Sequence, residues 1–460
     1  MPLIKSISGI RGTIGDKVGE DLTPTDIILY TSSYAMWVKN NSSKQLNTIV
    51  VGRDARISGE MVQGFVIDTL ISLGFNVISL NLSTTPTVEI AVPMENADGG
   101  IIITASHNPK NWNALKLLNS KGEFLSSLDG QEVLKISKTF NADLHQPEKI
   151  GELVEKDNYI DIHINEILKL DLVDIESIKN RGYKIVVDAV NSTGGIAVPK
   201  LLEKLGVNVV KLFCDPTGDF PHNPEPLKEN LSDLSNLVIE QQADLGIVVD
   251  PDVDRLAFVS ENGDVFGEEY TLVACADYVL GINPGSTVSN LSSTRALKDI
   301  SDNHNCKYNS SAVGEVNVVE MMKNTKAIIG GEGNGGIILP SIHYGRDALV
   351  GIALFLSHLS KSELKCSELR DKYPNYFMSK KKKQLDSGFD YDNMIECLKT
   401  KYASEKINLI DGLKIDFSDS WVQLRKSNTE PIIRIYSEAK TQVLADEISD
   451  KFIQEIESIS

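Results

Sequence analysis

The stretch DLGIVVDPDVDR, residues 244–255, joins an unbroken apolar run to a loop carrying three carboxylates and an arginine. A short run rich in Ile and Val, ended by charged turn residues, suits a strand buried on both faces of a helix-covered sheet. The same pattern recurs outward from it. NTIVV (47–51) leads into GRDARISGE and a helical pattern through Ile71, and GGIIITAS (99–106) ends at SHNP. YKIVVDA (183–189) runs into NSTGG and a helix near 196–205. Between 286 and 339, STVSNL, KAIIGG and GGIIL alternate with helices near 294–301 and 315–323. Strand, polar loop and helix in that order predict α/β layering, repeated as three related mixed α/β units.

The end of the chain reads differently. A helical pattern near 391–403 precedes INLIDGLKIDF, with an Asp-Gly hairpin signal at 411–412, then strand-like WVQLR and IIRIYSE and a last helix over 441–457. These predict a smaller C-terminal α+β domain. The run KKKK (380–383) just before it reads as a solvated linker. A chain of 460 residues exceeds one hydrophobic core. The expected domains are 1–152, 153–256, 257–370 and 371–460.

A formal charge of −18 excludes a general nucleic-acid binder, because phosphate-backbone affinity comes from Lys and Arg. The opening MPLIKSISGIRGTIG has no apolar leader, and no segment reaches the roughly 18 apolar residues of a membrane span, which predicts a cytoplasmic protein. Cys214, Cys275, Cys306, Cys366 and Cys397 are scattered, odd in number and free of C-x-x-C pairs, as expected of reduced structural thiols.

Four loops carry candidate chemistry. Ser106, in TASHNP (104–109), follows an apolar strand and sits where the chain must turn before Pro109. Taken alone it is ordinary turn vocabulary. Asp250, Asp252 and Asp254 put three like charges at alternate positions and call for a cation; oxygen ligands without His or Cys suit magnesium. Arg255 stands where an EF-hand loop needs Gly, which excludes that motif even though Glu261 has its final spacing. In GGEGNGG (330–336), Glu332 and Asn334 are the only side chains and could clasp sugar hydroxyls, or simply decorate a glycine hairpin. RKSNTEP (425–431), followed by Arg434, offers a guanidinium, hydroxyls, an amide and backbone donors suited to phosphate, though a polar hairpin would read the same way.

Read together and in this order, the four loops resemble the α-D-phosphohexomutase family, which includes phosphoglucomutases, phosphomannomutases and phosphoglucosamine mutases. The match extends to SGIRG (8–12) and GRDARISG (52–59), and so covers nearly the whole chain. The resemblance implies four domains in a heart shape around a central cleft, and a phosphoserine at Ser106 that relays phosphate through a hexose 1,6-bisphosphate. It implies Mg²⁺ held by Asp250, Asp252, Asp254 and a phosphoserine oxygen. Arg11 and Lys116 line the phosphoserine, Lys116 assisting proton transfer, and His107 is an orienting neighbour. Glu332 and Asn334 grip the sugar, Arg255 follows the metal ligands, and Arg425, Ser427, Asn428, Thr429 and Arg434 anchor the distal phosphate. The implied partner is a hexose phosphate, and the implied assembly a monomer or homodimer.

One departure stands out. Many family members read G-E-x-S-G-H in the sugar loop, whereas here Asn334 replaces Ser and Gly336 replaces His, so no histidine acid/base is available there. With GRDA (345–348) downstream, the loop resembles an archaeal-type branch, which favours glucosamine phosphate over the alternatives, glucose and mannose phosphates. Outside the mutases, a non-catalytic sugar-phosphate scaffold would keep the fold without turnover. A phosphatase using Asp250 or Asp252 as nucleophile would leave the loops at 104–109 and 425–431 without roles.

Overall fold

The computed structural model describes residues 3–6, 9–42, 44, 46–139, 149–386, 388–427 and 431–459. Three α/β units repeat one sheet topology. In the first, Thr48–Arg53 pairs in parallel with Asn76–Leu82 on one side and Gly99–Ile103 on the other, and Gly99–Ile103 pairs antiparallel with Trp112–Leu118. In the second, Lys184–Asp188 lies parallel to Asn208–Leu212 and Leu245–Val249, and Leu256–Ser260 returns antiparallel. In the third, Thr287–Asn290 lies parallel to Tyr308–Ser311 and Ile329–Glu332, with Gly336–Ile338 antiparallel. Counted over these four strands of each unit, the spatial order is 2-1-3-4 every time; the first sheet adds Ile4–Ser6 and Gly9–Thr13 at one edge and Leu153–Glu155 at the other.

The topology places the candidate loops. Each turn between the third strand and its antiparallel fourth carries one: 104–111, 250–255 and 333–335. The third strands of the first two units, GGIII and LGIVV, are buried along their whole length, as apolar runs covered by helices on both faces must be. Their turns emerge at the carboxyl ends of the parallel strands, where ligands of open α/β sheets collect.

One continuous apolar core runs through the second and third units, from Ile160 to Tyr373. The first unit packs separate clusters on the two faces of its sheet. The C-terminal unit is an antiparallel sheet, Phe377–Gln384, Ile432–Ala439, Trp421–Lys426, Leu413–Asp416 and Lys406–Asn408, backed by Tyr391–Lys401 and Gln442–Ile459. Its core is its own. Polar contacts tie it to the third unit: Ser292 Oγ donates to Gln423 Oε1 (2.7 Å) and Lys414 Nζ to the Leu291 carbonyl (2.7 Å).

Two expectations are corrected. KKKK (380–383) is no linker but part of the edge strand Phe377–Gln384. Lys381 and Lys383 pair with Asp450 and Glu457 of the last helix, while Lys380 faces Glu268 and Glu269. Lysines of this kind keep a sheet edge from pairing with other chains. The boundaries at 152 and 256 shift for a hydrogen-bonding reason: Leu153–Glu155 extends the first sheet beside Asn76–Leu82, and Leu256–Ser260 closes the second. Among the described residues no helix is long and apolar enough to cross a membrane, and all five cysteines are free.

Candidate active site

Ser106 sits in the left-handed region (φ +46°), a strained conformation for a residue with a side chain, and the loop around it is pinned to hold it there. Arg56, fully buried, uses its whole guanidinium. Nε donates to Asp54 Oδ2, Nη1 to the carbonyls of Pro109 and Trp112, and Nη2 to those of Ser106 and Asn108, at 2.5 to 3.1 Å. Thr104 Oγ1 donates to the same Asp54 oxygen (2.6 Å) and accepts the Ser106 N–H (2.9 Å). The result aims Ser106 Oγ across the cleft at Asp250 Oδ2, 2.6 Å away.

Asp250, Asp252 and Asp254 are wholly buried and offer ligand atoms within 4.8 Å of one another. Asp250 Oδ1 accepts the backbone N–H groups of Asp254 (3.1 Å) and Arg255 (3.0 Å), which fixes the turn. Asp252 Oδ2 accepts from Thr85 Oγ1 (2.6 Å) and Lys116 Nζ (2.7 Å), and Asp254 Oδ2 from Arg346 Nη2 (2.7 Å). Asp252 Oδ1 and Asp254 Oδ1 are buried with no donor at all. Buried carboxylate oxygens left unpaired are costly, and an oxygen-only set of this kind fits a hard divalent cation such as magnesium.

The charges respond to this crowding. Burial, then repulsion from Asp254 and Asp252, raises the Asp250 carboxyl well above its usual range. Burial would raise Asp252 too, but the Lys116 ammonium outweighs it and holds that carboxyl down. Burial alone would lower Lys116, yet Asp252 and Asp254 keep its proton bound. His107 is driven down to about 2 by burial and then by Arg255, so it is a neutral imidazole.

Glu332 is held by three donors: Asn290 Nδ2 (2.8 Å) and the Gly314 N–H (3.1 Å) at Oε1, and Arg346 Nη1 (3.1 Å) at Oε2. Asn334 Oδ1 accepts the Gly336 N–H (3.2 Å), which curls the loop, and its amide is half-buried. Across the cleft, Arg425 and Arg434 are paired directly opposite on adjacent strands. Like charges in that position repel unless an anion lies between them. Arg11 is lowered by burial, then by Arg255 and Arg434, so guanidiniums from the first, second and C-terminal units crowd one another. The Ser427 N–H closes the hairpin onto the Ile432 carbonyl (2.9 Å); Asn428 and Thr429 lie outside the described residues.

The structure therefore brings Ser106, Lys116, the three aspartates and Arg255 together, and joins Glu332 to them through Arg346. Arg425 pairs instead with Asp411 at 3.7 Å. Several supporting residues had no role in the sequence reading: Arg56, Thr85, Glu225, Glu315 and Arg346. Glu225 Oε1 receives Arg255 Nη1 (2.9 Å) from a proline-rich loop that His222 ties to Asp188 (2.9 Å). Behind Arg346, Asp347 Oδ2 accepts from His163 Nε2 (2.8 Å) and His343 Nε2 (3.1 Å), and His343 Nδ1 lies 3.1 Å from Glu89 Oε2. GRDARISG and GRDA held Arg56 and Arg346 in view, but their partners are remote in sequence. Thr85 gave no signal.

Known proteins match this chain along nearly its whole length. Residues 4–143, 158–263 and 267–376 match the models of phosphoglucomutase/phosphomannomutase α/β/α domains I, II and III, and 383–455 matches the C-terminal domain of the same family. A phosphoglucomutase/phosphomannomutase of Thermococcus kodakarensis is 36% identical over 98% of this chain and 97% of its own. A phosphoglucosamine/phosphogalactosamine mutase of Sulfurisphaera tokodaii is 30% identical over 98% of both chains. The crystal structure of a phosphoglucomutase/phosphomannomutase family protein from Burkholderia thailandensis superimposes with a TM-score of 0.85 at 26% identity, covering 99% of this chain and 98% of that one. The chain belongs to the phosphoglucomutase/phosphomannomutase family of α-D-phosphohexomutases.

Proposed function

We propose that the protein interconverts hexose 6-phosphate and hexose 1-phosphate by carrying the phosphoryl group on Ser106, with glucosamine 6-phosphate as its principal substrate. The observation that carries the relay is Ser106 Oγ, held in a strained turn 2.6 Å from Asp250 Oδ2. A serine held beside a carboxylate cluster suits a phosphoryl carrier that both donates and recovers its group.

In the forward direction the bond from phosphorus to Ser106 Oγ breaks and a bond from phosphorus to a sugar hydroxyl oxygen forms, giving the 1,6-bisphosphate. The sugar hydroxyl loses its proton and Ser106 Oγ takes one up: we assign the transfer to Lys116, whose ammonium donates to the departing Ser106 Oγ and is reprotonated by the sugar hydroxyl. After the sugar turns over, Ser106 attacks the other phosphate and the same bonds exchange in reverse. Magnesium, held by Asp250, Asp252 and Asp254, supplies charge neutralisation at the transferring group when bound. Arg425, Ser427, Asn428, Thr429 and Arg434 hold the phosphate that is not reacting, and one such anchor serves both orientations of the sugar. Glu332 retains lone pairs for sugar hydroxyls, with Asn334 beside it, and neutral His107 orients the serine loop.

The name of the Sulfurisphaera relative supports the amino sugar. That of the Thermococcus relative supports a second reading, glucose and mannose phosphates. Coupled assays on the 6-phosphates of glucosamine, glucose and mannose, each with a trace of bisphosphate, separate the two. The highest kcat/KM is expected with glucosamine 6-phosphate. A higher value with glucose or mannose establishes the second reading, and no conversion of any of the three overturns the mutase.

A further inference from the structure

We propose that Arg346 is a positioning residue that locks the sugar loop to the metal loop, and that position 336 is glycine because the methylene stem of this arginine fills the space a side chain would need. The inference rests on Asp250, Asp252 and Asp254 holding the metal.

Arg346 is buried, with 8% of its surface exposed, and each part of its fork goes to a different carboxylate. Nη2 donates to Asp254 Oδ2 (2.7 Å), Nη1 to Glu332 Oε2 (3.1 Å) and Nε to Glu315 Oε2 (3.0 Å). Its own N–H donates to Glu315 Oε1 (2.9 Å). The three carboxylates come from the turn of the second unit, the end of the third strand of the third unit, and the first residue of the helix Glu315–Thr325.

The consequence for Asp254 is specific. Arg346 makes the shorter of the two contacts to Oδ2, Lys116 Nζ lying 3.4 Å away, and Oδ1 accepts no hydrogen bond, with Arg255 Nε 3.8 Å from it; the guanidinium thus biases which oxygen faces the cation. The same fork holds Glu332, the expected sugar ligand, in register with that oxygen. A planar guanidinium can span three carboxylates at fixed angles, whereas a lysine ammonium is a point charge.

The backbone on either side keeps Arg346 in place. It forms an isolated bridge with Ile338, and Asp347 caps the helix Ala348–Ser362 by accepting the N–H groups of Leu349 (2.9 Å) and Val350 (3.2 Å). A Cβ at residue 336 would lie 2.2 Å from Arg346 Cδ and 3.2 Å from Asn334 Oδ1. Any side chain at 336 therefore drives the arginine off Asp254 and Glu332.

The test is a double-mutant cycle on the full chain: Arg346→Ala, Gly336→Ala and the pair. Mn²⁺ affinity is read by electron paramagnetic resonance without substrate, and kcat and KM are measured alongside. Loss of one buried charge-assisted hydrogen bond predicts Mn²⁺ binding weakened by about ten- to a hundredfold in each single variant, with KM for the hexose phosphate raised. Gly336→Ala should add less than about a twofold loss to Arg346→Ala, because the clash then has no partner. Millimolar guanidinium should restore Mn²⁺ affinity to Arg346→Ala, which a purely structural role would not allow. Should Arg346→Ala fail to fold, Gly336→Ala and Glu315→Gln carry the same expectation of weakened Mn²⁺ binding at an intact fold. Wild-type affinity in those variants, or full additivity in the cycle, overturns the inference. Absence of Mn²⁺ binding by the wild type overturns the metal reading itself and this inference with it.

Discussion

At Arg56 one guanidinium gathers four carbonyls around Ser106 and one carboxylate, so the strained turn is already fixed in the free protein. The strain of a left-handed serine, about 1–3 kcal/mol, is offset by that fixed network. A second buried cluster stands where the first three units meet: Thr87 and Glu89 from the first, His163 from the second, His343 and Asp347 from the third. Burial raises Glu89 to about 8, with His343 opposing it. Burial would lower His343, but Asp347 and Glu89 outweigh it and raise it to about 10. Both groups have folded values above their unfolded ones, so the stability they contribute is complete at low pH and lost as pH rises. The loss runs from the ordinary Glu value of 4.5 to about 8 for Glu89, and from 6.5 to about 10 for His343. The thermal midpoint should fall between about pH 7 and 10, and the fall above about pH 8 should flatten in His343→Gln. A midpoint that is flat or rises with pH in the wild type, or an equal slope in the variant, contradicts this. The aspartates were legible in the sequence because three carboxylates at alternate positions lie in one loop, whereas Ser106, ordinary turn vocabulary by itself, stood out only through the order of the four loops. Arg56 and Arg346 were not legible, because what they bind lies 50 and 92 residues away, and no local pattern encodes that distance.

Among the elements, the recurring antiparallel fourth strand does the positioning. By turning the chain back after the third strand, it makes each loop a tight connection with fixed ends. Gly335 is the residue on which the third such turn depends: its φ is +86°, and an added Cβ would lie 2.2 Å from the Leu256 carbonyl of the metal-loop strand. Gly335→Ala should cost about 1–3 kcal/mol in denaturant unfolding and raise KM for the hexose phosphate more than it lowers kcat. An unchanged KM would show that the loop does not hold the sugar. The first and third parallel strands of each unit and the C-terminal hairpin at Asp411-Gly412 were readable from Ile and Val runs and from turn chemistry; the second strands, Asn76–Leu82, Asn208–Leu212 and Tyr308–Ser311, were not. Of the fourth strands only the third unit's, within GGIIL, was readable; Trp112–Leu118 is buried on both faces and so lacks alternation. The lysine strand hid its period of two because all four residues are the same type; the alternation exists only in their partners on the last helix and on the third unit.

Over the whole molecule, a chain of net charge −18 converges guanidiniums from three units, Arg11, Arg255 and Arg434, on one cleft opposite the buried aspartates. Repulsion within such a set is relieved by a bound anion, and in the proposed relay Ser106 presents the phosphoryl group to it. The second and third units share one core, whereas the C-terminal unit has its own core and meets the third unit through polar contacts. In the relay proposed above each unit has one task, and Ser106 is the carrier. Intact-mass analysis after exposure to hexose 1,6-bisphosphate tests it most directly. The account predicts one acid-stable phosphate, mapped to Ser106, that passes to hexose monophosphate when Mg²⁺ is supplied, with Ser106→Ala lacking both the phosphate and turnover. A Ser106→Ala variant with full turnover, or a phosphate lodged on Asp250 or Asp252 as a hydroxylamine-labile acyl phosphate, would contradict it.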